Sequence, residues 1–258
     1  MLGSIILLAV LCAVLGYHPS RGLVPGSRSL TLQQAVDDKI EVEEYFNNEG
    51  FSRWNKIYSD SDEVNSVQMD IRTGHDQTID KVLNWLSAED NKKKTLCDAG
   101  CGVGSLAIPA SLGFKKVFAS DISSAMTREA AARTKSAGIK NVKFEVSDME
   151  NLKGSYDTTT CIDVMIHYPT DAMYDIVNHL GSISKERLIL SFAPKNFFYS
   201  ALKKIGELFP GPSKTTRAYL HPEEDVRKAL KAAGFTIKRT EMTSTNFYFS
   251  RLLEAVRE

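Results

Sequence analysis

The stretch LCDAGCGVG, residues 96–104, decides the fold of this chain. A short apolar run leads into three glycines spaced G-x-G-x-G, which is typical of a strand that turns directly into a helix. Glycines at such a junction let a ligand approach the backbone closely, and the first turn of the helix offers free N–H groups. The stretch therefore predicts a ligand-binding loop after the first strand of an α/β domain.

Two carboxylates lie near this loop, and one of them, together with the glycine spacing, separates two cofactor classes. Ser105 stands where the nicotinamide fingerprint requires its third glycine, and Asp98 lies two residues before Gly100. Asp121 ends the next predicted strand, where a carboxylate can accept hydrogen bonds from both hydroxyls of a ribose. The glycine spacing together with Asp98 favours S-adenosylmethionine over a dinucleotide. Two structural alternatives stay open, namely a tight turn without ligand and a helix N-cap role for Asp121.

Further candidate residues for this site follow from the other strand ends, because ligands bind at the carboxyl edge of a doubly wound sheet. Asp148 follows the third predicted strand, where it can meet an adenine amino group, and a plain surface acid is the alternative. The candidate cofactor-binding residues at the strand ends are Asp98, Gly100, Gly102, Gly104, Asp121, Ile122, Asp148, Met149 and Ile162.

Strands and helices alternate from residue 94 onward, which predicts a doubly wound, Rossmann-like α/β sheet of mostly parallel strands. Parallel strands are predicted at Thr95–Ala99, Lys116–Ser120, Val142–Val146, Tyr156–Asp163 and Arg187–Phe192. Helices are predicted at Gly104–Leu112, Ser124–Ser136, Ala172–Ile183 and Glu223–Ala233. The last two strands, Phe235–Met242 and Asn246–Val256, lie so close in sequence that they must pair antiparallel.

The chain divides into a leader at 1–36, an N-terminal helical arm at 37–93 and a cofactor-binding domain at 94–258. A helical insertion at 196–219 follows the fifth strand and is placed to cover a substrate. We expect the first helix of the arm to be interrupted where three helix-weakening residues cluster, namely Asn47, Asn48 and Gly50.

The leader combines two targeting features. Residues 5–15 form an unbroken apolar run of 11 residues, which suits the core of a signal peptide and is short for a membrane span. Residues 16–36 contain Arg21, Arg28 and several serines but no acid, as organelle transit peptides do. We therefore expect a two-part targeting leader, and a retained membrane anchor is the alternative.

Charge and cysteine content argue against two further classes of protein. Lysine plus arginine equals aspartate plus glutamate at 32 each, so we expect no nucleic-acid partner. Three of the four cysteines, Cys97, Cys101 and Cys161, follow the leader, and an odd, sparse set argues against a disulfide framework. No partners stand at zinc spacing from Cys97 and Cys101, so we expect no protein-bound metal.

Several longer runs make the family recognisable. The chain from residue 37 to the C-terminus resembles the magnesium-protoporphyrin O-methyltransferases of chlorophyll synthesis, within the class I S-adenosylmethionine-dependent methyltransferases. The runs that carry this resemblance are CDAGCGVGSLAIP, SDIS, FEVSDMENL, CIDVMIHYP, LILSFAPK, ELFPGPSKTTRAYLH and TNFYFSRLLEAV. The last two are far more particular to this family than the glycine loop is.

The resemblance implies a substrate, partners and one more site residue. The family transfers a methyl group from S-adenosylmethionine to a propionate carboxylate of magnesium-protoporphyrin IX, so the substrate carries the magnesium. It also implies a plastid location, peripheral association with thylakoid or envelope membranes, and the large subunit of magnesium chelatase as a partner. The related ubiquinone-pathway O-methyltransferases hold the cofactor carboxylate with an arginine ahead of the Rossmann core, and Arg72 matches that position.

Two residues are candidates for the catalytic machinery, although a propionate is ionised near neutral pH and needs no strong base. His167 follows the fourth predicted strand, where it can hydrogen-bond the propionate, order the cofactor or touch the porphyrin magnesium. Its alternative role is to cap the turn before Pro169. Tyr58 ends an aromatic segment of the arm that can close over the ligands, and plain helix packing is the alternative.

Three other functions share parts of this pattern. An O-methyltransferase for a small phenol or quinone would use every cofactor residue named above. A tetrapyrrole-binding protein without turnover would not need the intact glycine loop and its aspartates. A nicotinamide dehydrogenase would need a different glycine spacing.

Overall fold

The structure, a computed structural model, describes residues 39–59, 62–195 and 218–258. The predicted leader at 1–36 lies outside these residues. So does the predicted insertion at 196–219, except for its last two residues.

Seven strands form one sheet in the order β3-β2-β1-β4-β5-β7-β6. Their bounds are β1 Thr95–Ala99, β2 Lys116–Asp121, β3 Val142–Val146, β4 Tyr156–Cys161, β5 Ser184–Phe192, β6 Phe235–Ser244 and β7 Phe249–Arg257. The first five strands pair in parallel, and β7 pairs antiparallel with both β5 and β6. The predicted doubly wound sheet with an antiparallel C-terminal strand is confirmed.

Helices cover both faces of this sheet. Their bounds are α1 39–47, α2 Glu49–Ile57, α3 Ser66–Ser87, α4 Ala107–Ala110, α5 Ser124–Ser136, α6 Thr170–Ile183 and α7 Glu223–Ala232. On one face, Val82 and Trp85 of α3 pack with Leu96. On the other face, α6 and α7 pack with Cys97. Neighbouring residues of one strand enter opposite cores because side chains alternate across a strand.

The arm consists of α1, α2 and α3, and side-chain hydrogen bonds attach it to the sheet domain. The predicted interruption occurs at Asn48, whose φ of −120° and ψ of −108° are not helical. Asn47 Oδ1 accepts hydrogen bonds from Ser123 Oγ at 3.0 Å and from Ala125 N at 3.2 Å. Arg133 donates from Nη1 to the carbonyl oxygen of Tyr58 at 2.7 Å. The arm is therefore fixed beside the start of α5 and the carboxyl edge of the sheet.

Two of the predicted boundaries that differ from the structure can be traced to the backbone at particular residues. The helix predicted at Gly104–Leu112 is reduced to α4, because Gly104 has a φ of +88° and Pro109 donates no backbone hydrogen bond. The strand predicted at Tyr156–Asp163 ends at Cys161, because Asp163 adopts a left-handed φ of +60°. This second difference places Asp163 beside the cavity described next.

Candidate active site

A cavity of about 2180 Å³, including its open mouth, lies at the carboxyl edge of the sheet. Its floor comes from the residues after β1, β2, β3 and β4, and its roof comes from the arm and the turn between β6 and β7. The arm contributes an aromatic group made of Tyr45, Phe46, Trp54 and Tyr58. The predicted site residues that line the cavity are Tyr58, Asp98, Gly100, Gly102, Asp121, Ile122, Asp148, Met149, Ile162 and His167.

The glycine loop has the open backbone that its sequence predicts. Gly100 has a φ of +78°, and a Cβ atom there would lie 2.3 Å from Val164 Cγ2. Gly102 has a φ of +52°, and a Cβ atom there would meet nothing within 4 Å. Both positions therefore require glycine for conformation, and the side of Gly102 that faces the cavity is free for a ligand.

Asp98 presents an unpartnered carboxylate oxygen at the base of the cavity. Its side chain is buried, and Oδ1 accepts a hydrogen bond from Thr160 Oγ1 at 2.8 Å. Its Oδ2 is buried and has no hydrogen-bond partner among the described residues. Burial raises the pKa of Asp98 to about 6. Because an unsatisfied buried acceptor costs about 1–3 kcal/mol, Oδ2 suits the donor of a bound ligand, such as an ammonium group.

Asp121 connects the glycine loop to the start of α5. Its Oδ2 accepts from Gly102 N at 2.9 Å, and its Oδ1 accepts from Ser123 N at 2.9 Å. Ser123 is the N-cap of α5, since its hydroxyl accepts from Met126 N. Burial raises the pKa of Asp121, and the two backbone hydrogen bonds oppose that rise. Each carboxylate oxygen keeps acceptor capacity for a ligand hydroxyl.

Asp148 and Met149 form the rim beside α1. Asp148 Oδ1 accepts from Asn151 N at 2.9 Å, and Oδ2 is ion-paired with Lys39 of the arm. Met149 is buried, with its sulfur 3.6 Å from Cys161 Sγ. Asp148 therefore has structural partners as well as a position on the cavity wall.

Arg72 does not line the cavity. Its Nε donates to the carbonyl oxygen of Ile57 at 2.7 Å, and its Nη2 donates to that of Lys56 at 2.6 Å. Ile71 and His75 are the neighbouring α3 residues that do line it. These two are four residues apart and share a helix face, whereas Arg72 is rotated about 100° around the helix axis from Ile71.

His167 lies in a single 3₁₀ turn, Met165–His167, after β4. Its ring contacts Phe46 edge-on, with centroids 5.3 Å apart. Burial lowers the pKa of His167 to about 4, and the nearby charge of Asp163 opposes that shift only in part. The imidazole is therefore neutral at physiological pH.

Tyr58 directly follows α2 and stacks on a histidine. Its ring lies 4.2 Å from the His75 ring at an interplanar angle of 29°. Burial raises the pKa of Tyr58 well above 10, and the charges of Asp163 and Asp76 add to that rise. The phenol therefore keeps its proton at neutral pH.

Three residues of the cavity were missed by the sequence prediction. His75 Nδ1 lies 2.9 Å from Asp163 Oδ2, and the Tyr248 hydroxyl donates to the same oxygen at 2.6 Å. Helical spacing from Ile71 was a signal for His75, and a strand-end acid was a signal for Asp163. Nothing local indicated Tyr248, because only the β6–β7 turn brings it across.

Comparisons with known proteins agree with this geometry. A family model described as "Magnesium-protoporphyrin IX methyltransferase C-terminus" matches residues 161–257, and a "Methyltransferase domain" model matches residues 90–196. A magnesium-protoporphyrin O-methyltransferase from Synechocystis is 54% identical over 226 residues, covering 86% of this chain and 98% of that protein. A chloroplastic magnesium protoporphyrin IX methyltransferase from Arabidopsis thaliana is 53% identical over 222 residues, covering 85% of this chain and 71% of that protein.

Solved structures of the Synechocystis enzyme share the fold. The structure with bound SAH has a TM-score of 0.80 and 51% identity, and covers 85% of this chain and 100% of that one. The structure with bound SAM has a TM-score of 0.76 and 47% identity, and covers 86% of this chain and 98% of that one.

Proposed function

The chain belongs to the magnesium-protoporphyrin O-methyltransferase family, and from this we propose that it methylates a propionate carboxylate of magnesium-protoporphyrin IX in chlorophyll synthesis. The co-substrate is S-adenosylmethionine, and the product is the monomethyl ester. One observation supports the proposal most strongly. A cavity joins a glycine loop, with the buried carboxylate of Asp98 and the half-buried one of Asp121, to an aromatic wall on the arm.

The residues present fit S-adenosylmethionine. The unpartnered Oδ2 of Asp98 can accept from the cofactor ammonium, and Asp121 can accept from the ribose hydroxyls. Asp148 lies where it can accept from an adenine amino group. The glycine loop lets the cofactor approach the backbone, and the apolar wall for the adenine is formed by Ile122, Met149 and Ile162. Arg72 would act on the cofactor only indirectly, by fixing α3 against α2.

The chemistry needs little from the protein beyond positioning. S-adenosylmethionine supplies an electrophilic methyl group on a sulfonium sulfur. A propionate oxygen forms the new bond to the methyl carbon as the carbon–sulfur bond breaks, so the reacting carboxylate becomes a neutral ester and the sulfonium becomes a neutral thioether. Because a propionate is ionised at neutral pH, no residue has to remove a proton.

The chain's own residues keep the reacting groups aligned and partly dry. Phe46, Trp54 and Tyr58 cover the mouth of the cavity and exclude water, which favours a reaction that annihilates charge. His167 is neutral and can donate or accept one hydrogen bond, so its role is to position a reactant rather than to act as a base. Tyr58 keeps its proton and can donate it in a hydrogen bond.

The magnesium belongs to the substrate. Over residues 39–59, 62–195 and 218–258, no group of three or more histidine, cysteine, aspartate or glutamate side chains is arranged to hold a metal ion. The protein is therefore proposed to recognise a metal that arrives already bound by the four pyrrole nitrogens.

The cellular location and the partners of this protein are separate proposals from its activity. We propose a plastid location, supported by the leader-like composition of residues 1–36 and by the chloroplastic Arabidopsis relative. Fusing residues 1–36 to a fluorescent protein tests this, and cytosolic fluorescence would contradict it.

None of the helices that the structure describes has the length and apolar character of a membrane span. Peripheral attachment to thylakoid or envelope membranes and contact with the magnesium chelatase large subunit are proposed from the family resemblance alone.

A substrate panel tests the function. The purified protein is incubated with labelled S-adenosylmethionine and, separately, with magnesium-protoporphyrin IX, small phenols and quinols. We expect label in a porphyrin monomethyl ester and none in the phenols. Transfer to a phenol would support the small-substrate alternative, and tight porphyrin binding without transfer would support the non-catalytic one.

A further inference from the structure

The cavity wall is acidic and has no strong cation among its described residues. Neither lysine nor arginine occurs among them, whereas four are aspartates, namely Asp98, Asp121, Asp148 and Asp163. The substrate adds at least one more carboxylate. Burying a carboxylate without a positive or hydrogen-bonding partner is costly, and the cofactor sulfonium has no hydrogen to donate. Within the described part of the wall, a donor for the propionate has to come from a side chain other than lysine or arginine.

Two histidines are the basic side chains of the described wall, and their environments differ. His167 is held neutral by burial, which lowers its pKa to about 4. His75 has Nδ1 at 2.9 Å from a carboxylate oxygen of Asp163, which fixes the ring and leaves Nε2 as the nitrogen that can meet a ligand. His75 is therefore the better oriented of the two histidines to donate a hydrogen bond to the propionate.

The groups around Asp163 favour the ionised form of its carboxyl group. Besides His75, its carboxylate accepts from the hydroxyls of Tyr248 at 2.6 Å, Ser191 at 2.8 Å and Ser250 at 3.1 Å. Burial alone raises the pKa of Asp163, but the hydrogen bonds and the charge of His75 outweigh burial and hold the pKa below its usual value. Its left-handed φ of +60° is the only such value at a non-glycine residue in the described part of the chain. Strain of this kind is retained where the surrounding structure fixes a residue for function.

The other ring nitrogen of His75, Nε2, is buried and has no hydrogen-bond partner in the part of the chain that the structure describes. The ring cannot turn to find one, because Asp163 holds its Nδ1 edge and Tyr58 stacks on its face. His75 and Asp98 line the same cavity, and Asp98 is the residue proposed to meet the methionine end of the cofactor. An unsatisfied buried group at that place indicates a partner that arrives with the ligand.

We propose that His75 donates from both ring nitrogens, from Nδ1–H to Asp163, which orients the ring, and from Nε2–H to the propionate carboxylate that attacks the methyl group. This inference rests on the proposed function, because it takes the propionate as the ligand. Nε2 is buried, so any ligand atom reaches it only when neighbouring side chains shift. A propionate is a slender arm that ends in a small anionic group and needs a smaller shift than a flat macrocycle that brings its magnesium to the same atom.

The test compares two ligands that differ only in the free carboxylates. Magnesium-protoporphyrin IX and its dimethyl ester are titrated into the protein saturated with S-adenosylhomocysteine, which prevents turnover. We expect His75→Gln to weaken binding of the diacid at least about tenfold, as the loss of a charge-assisted hydrogen bond predicts, and to leave binding of the diester within about twofold. Affinity for S-adenosylhomocysteine should not change.

Asp163→Asn provides the matched variant. Asparagine tolerates a left-handed backbone and keeps an acceptor for His75, but it removes the negative charge. We expect the same selective loss of diacid binding, smaller than in His75→Gln.

Several results would overturn the inference. Equal losses for diacid and diester would assign His75 to packing or to the magnesium, and a loss of S-adenosylhomocysteine affinity would assign it to the cofactor. If the wild-type protein transfers methyl to the diacid and His75→Gln leaves the diacid-to-diester preference unchanged, the inference fails while the proposed function stands. If the wild-type protein neither binds nor methylates the diacid, both fail.

Discussion

Asp121 is held by two backbone donors and is also proposed to hold the cofactor ribose. Charge-assisted hydrogen bonds contribute about 1.5–3 kcal/mol each, so Asp121→Ala should weaken S-adenosylmethionine binding at least about tenfold. Asp121→Asn keeps the shape and one acceptor, and we expect a smaller loss. Calorimetry measures both, with circular dichroism to show that the variants are folded. Unchanged affinity in a folded Asp121→Ala protein would remove this residue from the site.

Asp98 gives cofactor binding a pH dependence. Burial raises its pKa to about 6 in the free protein, and an ammonium ligand binds the ionised form. The affinity for S-adenosylmethionine should therefore be constant well above pH 6 and fall toward tenfold per unit below it, since one pKa unit corresponds to a factor of about ten. Asp98→Asn should bind weakly at every pH, without that fall. Calorimetry from about pH 5 to about pH 8 measures this, and a wild-type affinity that stays flat across pH 6 would contradict the assignment.

His167 and Tyr58 test whether the reaction needs a base. His167→Gln keeps a hydrogen-bonding group, and Tyr58→Phe removes a single hydroxyl. We expect each to lower single-turnover methyl transfer by about one to two decades through misplacement, because an error of about 1 Å can cost about a hundredfold. Burial keeps the pKa of His167 near about 4, so the wild-type rate should show no steep rise near pH 6.5. A tenfold rise per unit up to pH 7 that His167→Gln abolishes would make His167 a general base.

The turn between β6 and β7 shows how one helix positions a distant side chain. Asp70 of α3 accepts hydrogen bonds from Thr245 Oγ1 at 2.6 Å, Phe247 N at 2.7 Å and Asn246 Nδ2 at 3.2 Å. These contacts place Tyr248 over Asp163. The β6–β7 turn is therefore part of the active site although it lies far from it in sequence.

Removing Asp70 should loosen that turn. Losing these hydrogen bonds costs about 1–3 kcal/mol, so Asp70→Ala should lower the melting temperature by several degrees. It should also weaken porphyrin binding while S-adenosylmethionine binding is kept. Asp80→Ala, at an exposed position on the same helix, is the control. Equal melting temperatures for the two variants, measured by calorimetry, would show that the turn does not depend on Asp70.

The ends of the helices and strands were predictable to different degrees, because some are set by neighbouring residues and others by contacts with residues distant in the sequence. Strands β1 and β3 have the predicted bounds because alternation and burial are local patterns. The end of β4 was misplaced, since the left-handed turn at Asp163 is held by residues distant in sequence: Asp163 N donates to Ser191 Oγ, and the Tyr248 hydroxyl donates to the Asp163 carboxylate. The interruption at Asn48 was predictable because weak helix formers cluster there.

At the scale of the whole molecule, the glycine loop and the alternation of strands and helices after it predicted the sheet and the edge at which the cavity lies. The glycine loop and the carboxylates after β1 and β2 meet because carboxyl ends of parallel strands share one edge of the sheet. His75 and Asp163 meet across 88 residues of chain, and no local pattern encodes that contact. Arg72 is the contrasting case, since its side chain hydrogen-bonds the carbonyl oxygens of Ile57 and Lys56, and its role toward the cofactor stays a prediction.

The central claim is that this single cavity brings a propionate of magnesium-protoporphyrin IX to the methyl group of S-adenosylmethionine. The measurement that tests it most directly is mass spectrometry of the porphyrin after one turnover with excess enzyme and deuterium-labelled S-adenosylmethionine. We predict one labelled methyl ester per porphyrin, formed in equal amount with S-adenosylhomocysteine and lost in Asp98→Asn. An unmodified porphyrin, or label on a ring carbon instead of a carboxylate, would contradict it.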